Sequence, residues 1–414
     1  MGRRRLSLPE LDSLRSLTGD GRRLLAARAL RLFAFGALSV VLVLYFASLG
    51  WSEAEIGRLL AITMIGDAAV TLWVTLHADR LGRARMLQWS AVLMIAVGAV
   101  LPATERVWLI AAVAFAGALS PNGGDVGPFQ AIEQAGLTHS LNDTATRTTA
   151  IAWYILCGSL AAAAGALVSG WLAGELGYRA IFVLYAMCGA ALWLLFRGLS
   201  PAIEVEAGGG AGAAGAPRFG LHRSRAIVLR LAALFMVDTF GSALVVQSFL
   251  AYWLQRRFGV GTAAIGAIFF GVSLLAAFSA VAAGRLAARI GLINTMVWTH
   301  IPANLFLIAL PFAPSLPVAV AILLVRGSLS QMDVPARQSY LMAVVEPDER
   351  SAAGGVTGLA RSLASSLAPP VTGLLFAAGW LGAPFVAGGV LKILYDLALW
   401  RGFRTSRAPG ERVG

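Results

Sequence analysis

Long runs of apolar residues, separated by short polar segments, fill most of the sequence. Most runs are close to the about 20 residues that a helix needs to cross the hydrocarbon core of a bilayer. Each is expected to be a helix, because a backbone exposed to lipid must satisfy its own hydrogen bonds. The pattern predicts twelve membrane-spanning helices, near residues 30–49, 56–78, 86–104, 107–131, 148–173, 178–197, 228–254, 262–285, 294–313, 316–342, 351–377 and 382–400.

The composition supports a membrane protein and excludes a single water-soluble domain. Hydrophobic residues make up 58% of the 414-residue chain and charged residues only 13%, and the mean hydropathy is +0.75. Soluble domains have about 45–50% apolar and about 25% charged residues. The length leaves room for roughly twelve spans with short connections. We therefore predict an all-α membrane protein.

A segment of small and polar residues divides the predicted helices into two sets of six. It covers residues 201–225, and the tract from Ala207 to Pro217 consists almost entirely of Gly and Ala. Such a composition is typical of a flexible linker. The predicted organisation is a six-helix bundle in residues 1–200, a linker in residues 201–225 and a second six-helix bundle in residues 226–414.

The formal net charge is +12, and arginines near predicted helix ends carry most of it. They crowd the start of the chain, including Arg28 and Arg31, and also its middle and tail, and Arg337 is assigned to a loop on the same side. Positive residues mark the cytoplasmic side of membrane proteins. Both termini are therefore predicted to be cytoplasmic in a multi-pass inner-membrane protein, with anionic lipids as partners. Nucleic acid is not expected, because no basic segment is interleaved with exposed aromatic residues.

The sequence repeats itself across the linker. Ile56-Gly57 aligns with Ile265-Gly266, and Asp79 aligns with Ala288 in a similar turn. The spacing is the same in both copies (79 − 57 = 22 and 288 − 266 = 22), so the alignment needs no gap. Such internal similarity predicts two homologous, pseudo-symmetric halves.

The turn between the second and third predicted spans carries an acid, arginines and a glycine. It reads Asp79-Arg80-Leu81-Gly82-Arg83. Gly82 permits the tight reversal that a short loop needs, and the charges mark a helix end at the membrane surface. Here the chain resembles the major facilitator superfamily, whose signature at this loop is G-x-x-x-D-R-x-G-R-R/K.

The match to that signature is partial in both halves. Thr75 and Ala84 replace a glycine and a basic residue, and in the second copy Ala288 replaces the acid. The resemblance implies two six-helix bundles and a latch at this loop that favours the outward-facing state by closing the cytoplasmic side. Residues 330–335 are similar to a segment of uncharacterised bacterial permeases of the superfamily. The residues of the implied latch are Asp79, Arg80, Gly82, Arg83, Arg289 and Gly291.

Ionisable residues fall at bilayer depth, where they are costly and normally line a cavity or pair with one another. Secondary transporters bind substrates and ions at this depth, between their repeats. Asp67 and Asp238 are either proton carriers or structural partners of nearby cations, and both interpretations stay open. The candidate substrate or proton site consists of Asp67, Asp238, Arg326, Arg361, Lys392 and Asp396.

Two predicted spans contain an acid beside residues that break helices. Asp125 follows a Pro-Asn-Gly-Gly sequence in the fourth span, and Asp333 precedes Pro335 in the tenth. Broken helices are where transporters place ions and substrates, so these are candidate gate positions; the alternative is that they only hinge the gates. Glu133 is a further candidate for a gate, together with Arg147 or the arginines of the loop motif. His300 is expected to be a packing contact between helices.

The resulting hypothesis is a monomeric secondary transporter of a small molecule that uses the proton gradient and no cofactor. By the resemblance, it exports a small organic or amphiphilic compound. The alternative is uptake of a small anion bound by Arg326, Arg361 and Lys392, and a third possibility is a membrane sensor or scaffold without transport. Enzymatic activity is not expected, since the sequence has no nucleophile with a base, no nucleotide-binding motif and no metal-ligand spacing.

Overall fold

The computed structural model describes residues 17–116, 119–124, 129–139, 144–204, 222–346 and 349–403. Every regular element in these residues is helical, which confirms the prediction of an all-α protein. The helices before the linker are α1 (Gly19–Ser48), α2 (Glu53–Leu81), α3 (Arg83–Val100), α4 (Val107–Phe115), α5 (Phe129–His139), α6 (Thr144–Leu176) and α7 (Tyr178–Arg197). The helices after it are α8 (Arg225–Ala243), α9 (Gln247–Phe258), α10 (Thr262–Ile290), α11 (Leu292–Ala309), α12 (Leu316–Gly327), α13 (Asp333–Val344), α14 (Arg350–Ala377) and α15 (Ala383–Phe403).

Nine helical segments in the described part of the chain are long and apolar enough to cross a bilayer. They agree with nine of the twelve predicted spans. They are Gly19–Ser48, Glu53–Val74, Arg83–Ala103, Ala150–Leu176, Tyr178–Arg197, Arg225–Phe258, Thr262–Ala287, Leu292–Phe312 and Ala383–Phe403.

The other three predicted spans also coincide with helices, but these helices are short or polar. The fourth span corresponds to α4 and α5. The tenth span corresponds to α12 and α13, and residues 328–332 separate these two helices. The eleventh span corresponds to α14, which is long enough but contains glycines, serines and two prolines. The count of twelve therefore stays a prediction at these three places.

Each half packs around its own central helices. In the first half α1 packs against α6 and α7, and α3 packs against α7. In the second half α8 packs against α14 and α15, and α11 packs against α15. Every side chain from Val40 to Phe46 is buried, which is the behaviour of a helix that is apolar on all sides.

The halves meet at two helix crossings that the internal repeat relates to each other. α2 packs against α14, and α10 packs against α6. A Cβ added to Gly57 would lie 2.6 Å from the carbonyl oxygen of Pro369, and one added to Gly266 would lie 2.5 Å from that of Ala166. The internal repeat aligns Gly57 with Gly266. Any side chain at either position would push the two backbones apart.

Hydrogen bonds between the halves lie near these crossings, at the end of the molecule opposite to the chain termini. The hydroxyl of Ser248 donates to the carbonyl oxygen of Ser39 at 2.8 Å, and the Tyr252 hydroxyl donates to Glu53 Oε1 at 2.6 Å. On the part of α14 nearer the termini, a Cβ added to Gly358 would meet no atom within 4 Å. The described structure is therefore closed at the far end and open along this part of α14.

Three arginines that the charge pattern assigns to the cytoplasmic surface are buried instead. Arg28 and Arg31 are 6% and 0% exposed within the first half, and Arg337 is 7% exposed on α13. The assignment of these residues to the surface is therefore wrong. A buried arginine is tolerated where an acid balances its charge, and a count of charges along the sequence does not reveal such a partner.

Most of the predicted linker, residues 205–221, lies outside the described residues, so the predicted division into bundles and linker stays a prediction. The start of the linker region is attached to the turn between α2 and α3. The carboxylate of Glu204 accepts hydrogen bonds from the backbone N–H groups of Arg83 at 2.6 Å and Ala84 at 3.1 Å. These bonds satisfy donors at the first turn of α3 that have no partner within the helix.

Candidate functional site

Asp238 lies near mid-depth on α8 and is the centre of a buried group of charged residues. Arg337 Nη1 donates to Asp238 Oδ2 at 2.8 Å, and Lys392 Nζ lies 3.7 Å from Asp238 Oδ1. His300 Nε2 lies 3.9 Å from the same oxygen. We call Asp238, His300, Asp333, Arg337, Lys392 and Asp396 the Asp238 cluster, and all six residues are buried.

His300 connects two carboxylates of the cluster. Its Nδ1 lies 2.9 Å from Asp396 Oδ1, while its Nε2 faces Asp238. Asn304 Nδ2 donates to the other oxygen of Asp396 at 3.3 Å. The sequence analysis expects a packing contact at His300, and in the structure its two ring nitrogens face two different acids.

The two cations of the cluster have further partners. Arg337 Nη1 also lies 3.5 Å from Asp333 Oδ2, one turn earlier on α13. Lys392 Nζ donates to the hydroxyl of Ser242 at 2.8 Å. Lys392 and Asp396 thus lie in one cluster, as their spacing on α15 predicts, but the nearest acid to Lys392 is Asp238.

Arg361 borders the cluster from an open face of α14. Its side chain is exposed, and its Nε donates to the hydroxyl of Thr239 at 3.2 Å. Gly358 precedes it by one turn on the same face, where a Cβ would meet no atom within 4 Å. Leu359 and Leu363, which are 57% and 53% exposed, lie on a different face. We interpret the leucine face as the lipid contact and the Arg361 face as the wall of a polar cavity.

The remaining midplane candidates occupy different places. Arg326 is electrostatically coupled to Lys392, and its Nε is buried without a hydrogen-bond partner among the described residues. Asp67 is half-buried on α2, in the first half, and is not one of the residues of the Asp238 cluster. The structure therefore brings Asp238, Lys392 and Asp396 together, with Arg326 and Arg361 at their border.

A second buried charge cluster lies in the first half. Arg31 Nη2 lies 2.5 Å from Glu133 Oε2, and the Tyr154 hydroxyl donates to the same oxygen. The guanidinium of Arg28 lies 4.4 Å above the ring of Tyr154. Arg31, Glu133 and Tyr154 are each 0% exposed. Glu133 is thus paired with a buried arginine of α1, while Asp125, the other acid of this region, lies outside the described residues.

The two clusters occupy matching positions with opposite charges. Glu133 and Arg337 each lie one turn after the first residue of their helix, α5 and α13. Arg31 and Asp238 lie at nearly the same distance from the starts of α1 and α8. Each half therefore joins its first span to its fourth by a buried ion pair, with the acid and the base exchanged.

The predicted latch residues lie at the ends of α2 and α10. Gly82 and Gly291 have φ values of 94° and 84°, a conformation that favours glycine and allows both tight reversals. Arg289 is exposed. The side chains of Asp79 and Arg80 lie outside the described residues, and the role of the latch stays a prediction.

Sequence reasoning missed Arg31 and Arg337 as partners of buried acids. The signal that could have found Arg337 is its spacing, because it follows Asp333 by four residues and therefore lies on the same side of a helix. Arg31 has no acid at such a spacing in α1. Its partner is distant in sequence, so only the fold reveals the pair.

Two related helical halves, tight glycine crossings at one end and buried charges at mid-depth are features of multi-pass secondary transporters. The sequence model of the Major Facilitator Superfamily matches residues 24–332 and 231–413. The chain belongs to the Major Facilitator Superfamily, as the loop motif and the repeat indicate. It is accordingly a transporter of this superfamily and not an enzyme.

Individual relatives agree with this assignment. An uncharacterised membrane protein of Saccharomyces cerevisiae, YJR124C, is 27% identical over 417 residues, which cover 92% of this chain and 93% of the yeast protein. The solved structure of a D-xylose–proton symporter is similar with a TM-score of 0.69 and 16% identity, covering 92% of this chain and 97% of that one. An inward-facing, unoccupied bacterial homologue of the human lysosomal transporter Spinster gives a TM-score of 0.70 and 18% identity, covering 94% and 98%.

Proposed function

We propose that this protein is a proton-coupled transporter that exports a small organic or amphiphilic compound, and that Asp238 binds and releases the proton. The observation that carries the proposal is the position of Asp238, buried at mid-depth between Arg337, Lys392 and His300. The sequence also allowed Asp67 as the proton carrier. Asp238 is favoured because a second acid, Asp396, is connected to it through His300.

Protonation of Asp238 would change the forces within the cluster. While the carboxylate is ionised, it balances the charges of Arg337 and Lys392. Two unit charges about 4 Å apart interact with roughly 4 kcal/mol at an effective dielectric constant of about 20. Neutralising Asp238 removes this attraction and leaves the two cations to repel each other. A proton therefore alters the relative stability of helix arrangements, which is the requirement for coupling it to alternating access.

His300 provides a route for the proton. Its two nitrogens face Asp238 and Asp396, and an imidazole that accepts a proton on one nitrogen can release one from the other. Asp396 lies one turn nearer the chain termini than Lys392 on α15. The proton can therefore reach Asp238 from the side that the termini occupy.

The wider proposal follows from the fold and the charge pattern. The protein lies in the inner membrane with both termini in the cytoplasm, because arginines concentrate on that side. It works as a monomer, moves its halves about the central cavity and uses no cofactor besides the proton gradient. One protein with this fold is named a proton symporter, so the fold is compatible with proton coupling.

Uptake of a small anion is the second candidate, and a specific observation favours it. Arg326 and Arg361 border the Asp238 cluster, so four cations face three aspartates in this region. An anion in the cavity would balance the surplus positive charge. Protonation of Asp238 increases that surplus, so a proton and an anion would move together. Of the three predicted anion ligands, Arg361 is the one exposed to the cavity.

A transport assay with matched variants tests the proposal. A compound that stabilises the purified protein against heat is first selected from a library, since a ligand of the folded state raises its apparent stability. Its proton-driven flux is then measured in both directions in proteoliposomes. Asp238→Asn should reduce accumulation at least about tenfold, which corresponds to only about 1.4 kcal/mol of lost coupling. Glu175→Gln, an exposed acid at the end of α6, is the control and should leave accumulation unchanged.

The same assay separates the two candidates. Accumulation by Asp238→Asn at the wild-type level would contradict proton coupling through this residue. If the selected compound is an anion, Arg361→Gln should weaken its stabilising effect while Asp67→Asn leaves that effect intact. A neutral or cationic compound whose stabilising effect does not depend on Arg361 would leave export as the remaining candidate.

A further inference from the structure

A groove on the surface of the first half lies outside the Asp238 cluster and the interface between the halves. It runs between the second part of α2 and the first part of α3, and its volume is about 500 Å³. This is within the roughly 300–1,000 Å³ that ligand sites occupy. The residues that line it are Val70, Trp73, Val74, Leu81, Arg85, Met86, Trp89, Ser90 and Leu93.

The groove is as deep as one leaflet of a bilayer. It extends along α3 from Arg85, near the first residue of that helix, to Leu93. At 1.5 Å per residue, the ten residues from Arg83 to Leu93 span about 15 Å. The hydrocarbon core of a bilayer is about 30 Å thick, so the groove reaches about its middle. It therefore lies entirely in the leaflet on the side of the chain termini.

Two exposed tryptophans form the walls of the groove. Trp73 and Trp89 are 52% and 64% exposed, while Val74 and Met86 form a floor that is 5% and 6% exposed. Tryptophans of membrane proteins usually concentrate at the interface with water. These two lie deeper, since Trp89 is about 9 Å along α3 from Arg83. Flat, apolar walls at this depth fit a hydrocarbon chain.

A cation stands at the mouth of the groove. Arg85 is exposed in the first turn of α3, at the level where phospholipid head groups begin. Among the described side chains, the acid Glu204 beside this turn accepts hydrogen bonds from the backbone N–H groups of Arg83 and Ala84. Arg85 is thus placed to bind a phosphate, which a guanidinium holds well.

The repeat shows that these features are specific to the first half. The shift that aligns Gly57 with Gly266 (266 − 57 = 209) brings Trp89 onto Trp298, which is 55% exposed on α11. The same shift places Ala282 at the position of Trp73 and Asn294 at that of Arg85. The second half therefore keeps one tryptophan but lacks the second wall and the cation.

We propose that this groove binds one acyl chain of an anionic phospholipid from the leaflet on the side of the termini, with the lipid phosphate on Arg85. A leaflet-deep apolar slot fits an acyl chain, and Arg85, the cation among the described residues that line the groove, fits an anionic head group. A bound chain fills the space between α2 and α3 directly below the turn at Gly82. It therefore holds this turn, and the carboxylate of Glu204 attached to it, in the arrangement that the structure shows.

The test compares lipids and variants of the full-length protein purified in detergent. The thermal unfolding midpoint is measured with added phosphatidylglycerol, phosphatidylcholine, a monoacylglycerol or inorganic phosphate. Phosphatidylglycerol should raise the midpoint of the wild type most, and inorganic phosphate should not raise it. Arg85→Gln should reduce the effect of phosphatidylglycerol to that of phosphatidylcholine. Trp89→Ala should lower the effect of both lipids, and Trp89→Phe should retain it.

Trp298→Ala is the matched control, because it removes an exposed tryptophan at the equivalent position of the other half. It should keep the wild-type response to every lipid, and native mass spectrometry should show phosphatidylglycerol retained by Trp298→Ala but lost from Trp89→Ala. Equal effects of phosphatidylglycerol and phosphatidylcholine on the wild type would overturn the proposal. So would a monoacylglycerol or inorganic phosphate that matches phosphatidylglycerol, or a Trp298→Ala variant that loses the response as Trp89→Ala does.

Discussion

At the scale of single residues, each half contains a buried ion pair, and the acid and the base are exchanged between the two halves. Arg31 pairs with Glu133 in the first half, and Asp238 pairs with Arg337 in the second. In the first pair, Glu133 also accepts a hydrogen bond from Tyr154, and all three side chains are 0% exposed. The second pair is shared with Lys392 and His300 and lies beside Arg361 on the exposed face of α14. We infer that the first pair mainly fixes helices and that the second can change its partners.

The buried pair of Arg31 and Glu133 in the first half allows a prediction about stability. Arg31→Met should destabilise the protein by about 3–5 kcal/mol, because it removes the cation that lies 2.5 Å from the buried carboxylate of Glu133. The double variant Arg31→Met/Glu133→Leu should recover most of that loss, since well-packed apolar residues replace a buried ion pair at little cost. Both values come from unfolding of the purified variants. A double variant as unstable as the single one would show that the pair does more than fix helices.

At the scale of helices, the sequence predicts most of the fold. Apolar runs fix where helices lie, because length and hydropathy alone decide whether a segment can cross a bilayer. The breaks in the fourth and tenth spans are harder to predict from sequence. For example, α12 and α13 are each too short to be recognised as a crossing helix. The acid beside the break, Asp333, was identified from the neighbouring Pro335, which starts a helix well but interrupts a continuous one.

The candidate site could be predicted only in part. Asp238 and Lys392 can be identified from sequence because they lie inside apolar runs, where an ionisable side chain has a high free-energy cost. It does not identify their partners, because Arg337 and His300 are distant in sequence and meet Asp238 only after the helices pack. The pairing of Arg31 with Glu133 could not be predicted from the sequence for the same reason.

The start of α14 gives a prediction about pH. Glu349, immediately before this helix, accepts hydrogen bonds from the backbone N–H groups of His222, Arg223 and Ser224. These bonds favour the ionised carboxylate, and although burial opposes them, they lower its pKa from 4.5 to about 2. A lowered pKa means that the stabilisation is fully present above about pH 4.5 and is lost as the pH falls towards 2.

Glu349→Gln should therefore lower the thermal unfolding midpoint at neutral pH. The difference between this variant and the wild type should shrink as the pH falls below about 4.5, since protonation removes the same charge from the wild type. The measurement is a series of melting curves at decreasing pH. Glu346→Gln, a nearby acid without this set of bonds, is the control. A difference that grows with acidity would contradict the assignment.

At the scale of the whole molecule, the structure is closed at one end and open along part of α14 at the other. The closure depends on Gly57 and Gly266, where the helices of the two halves are in backbone contact. Because the crossings are related by the internal repeat, the proposed rocking of the halves would use both crossings in the same way. The Asp238 cluster lies between the two ends, and in the proposed mechanism a change in its charge favours one arrangement over the other.

The most direct test of this account is a pair of distance measurements that need no substrate. Cys157 and Cys188 are first replaced by serine. One pair of spin labels, at Glu105 and Ser315, then measures the distance between the halves at the end opposite to the termini. A second pair, at Arg197 and Arg401, measures that distance at the other end. Between about pH 8 and pH 5, the wild type should lengthen one distance and shorten the other. Asp238→Asn should hold one arrangement at both pH values, while Glu175→Gln follows the wild type. An Asp238→Asn variant that responds to pH as the wild type does would contradict the account.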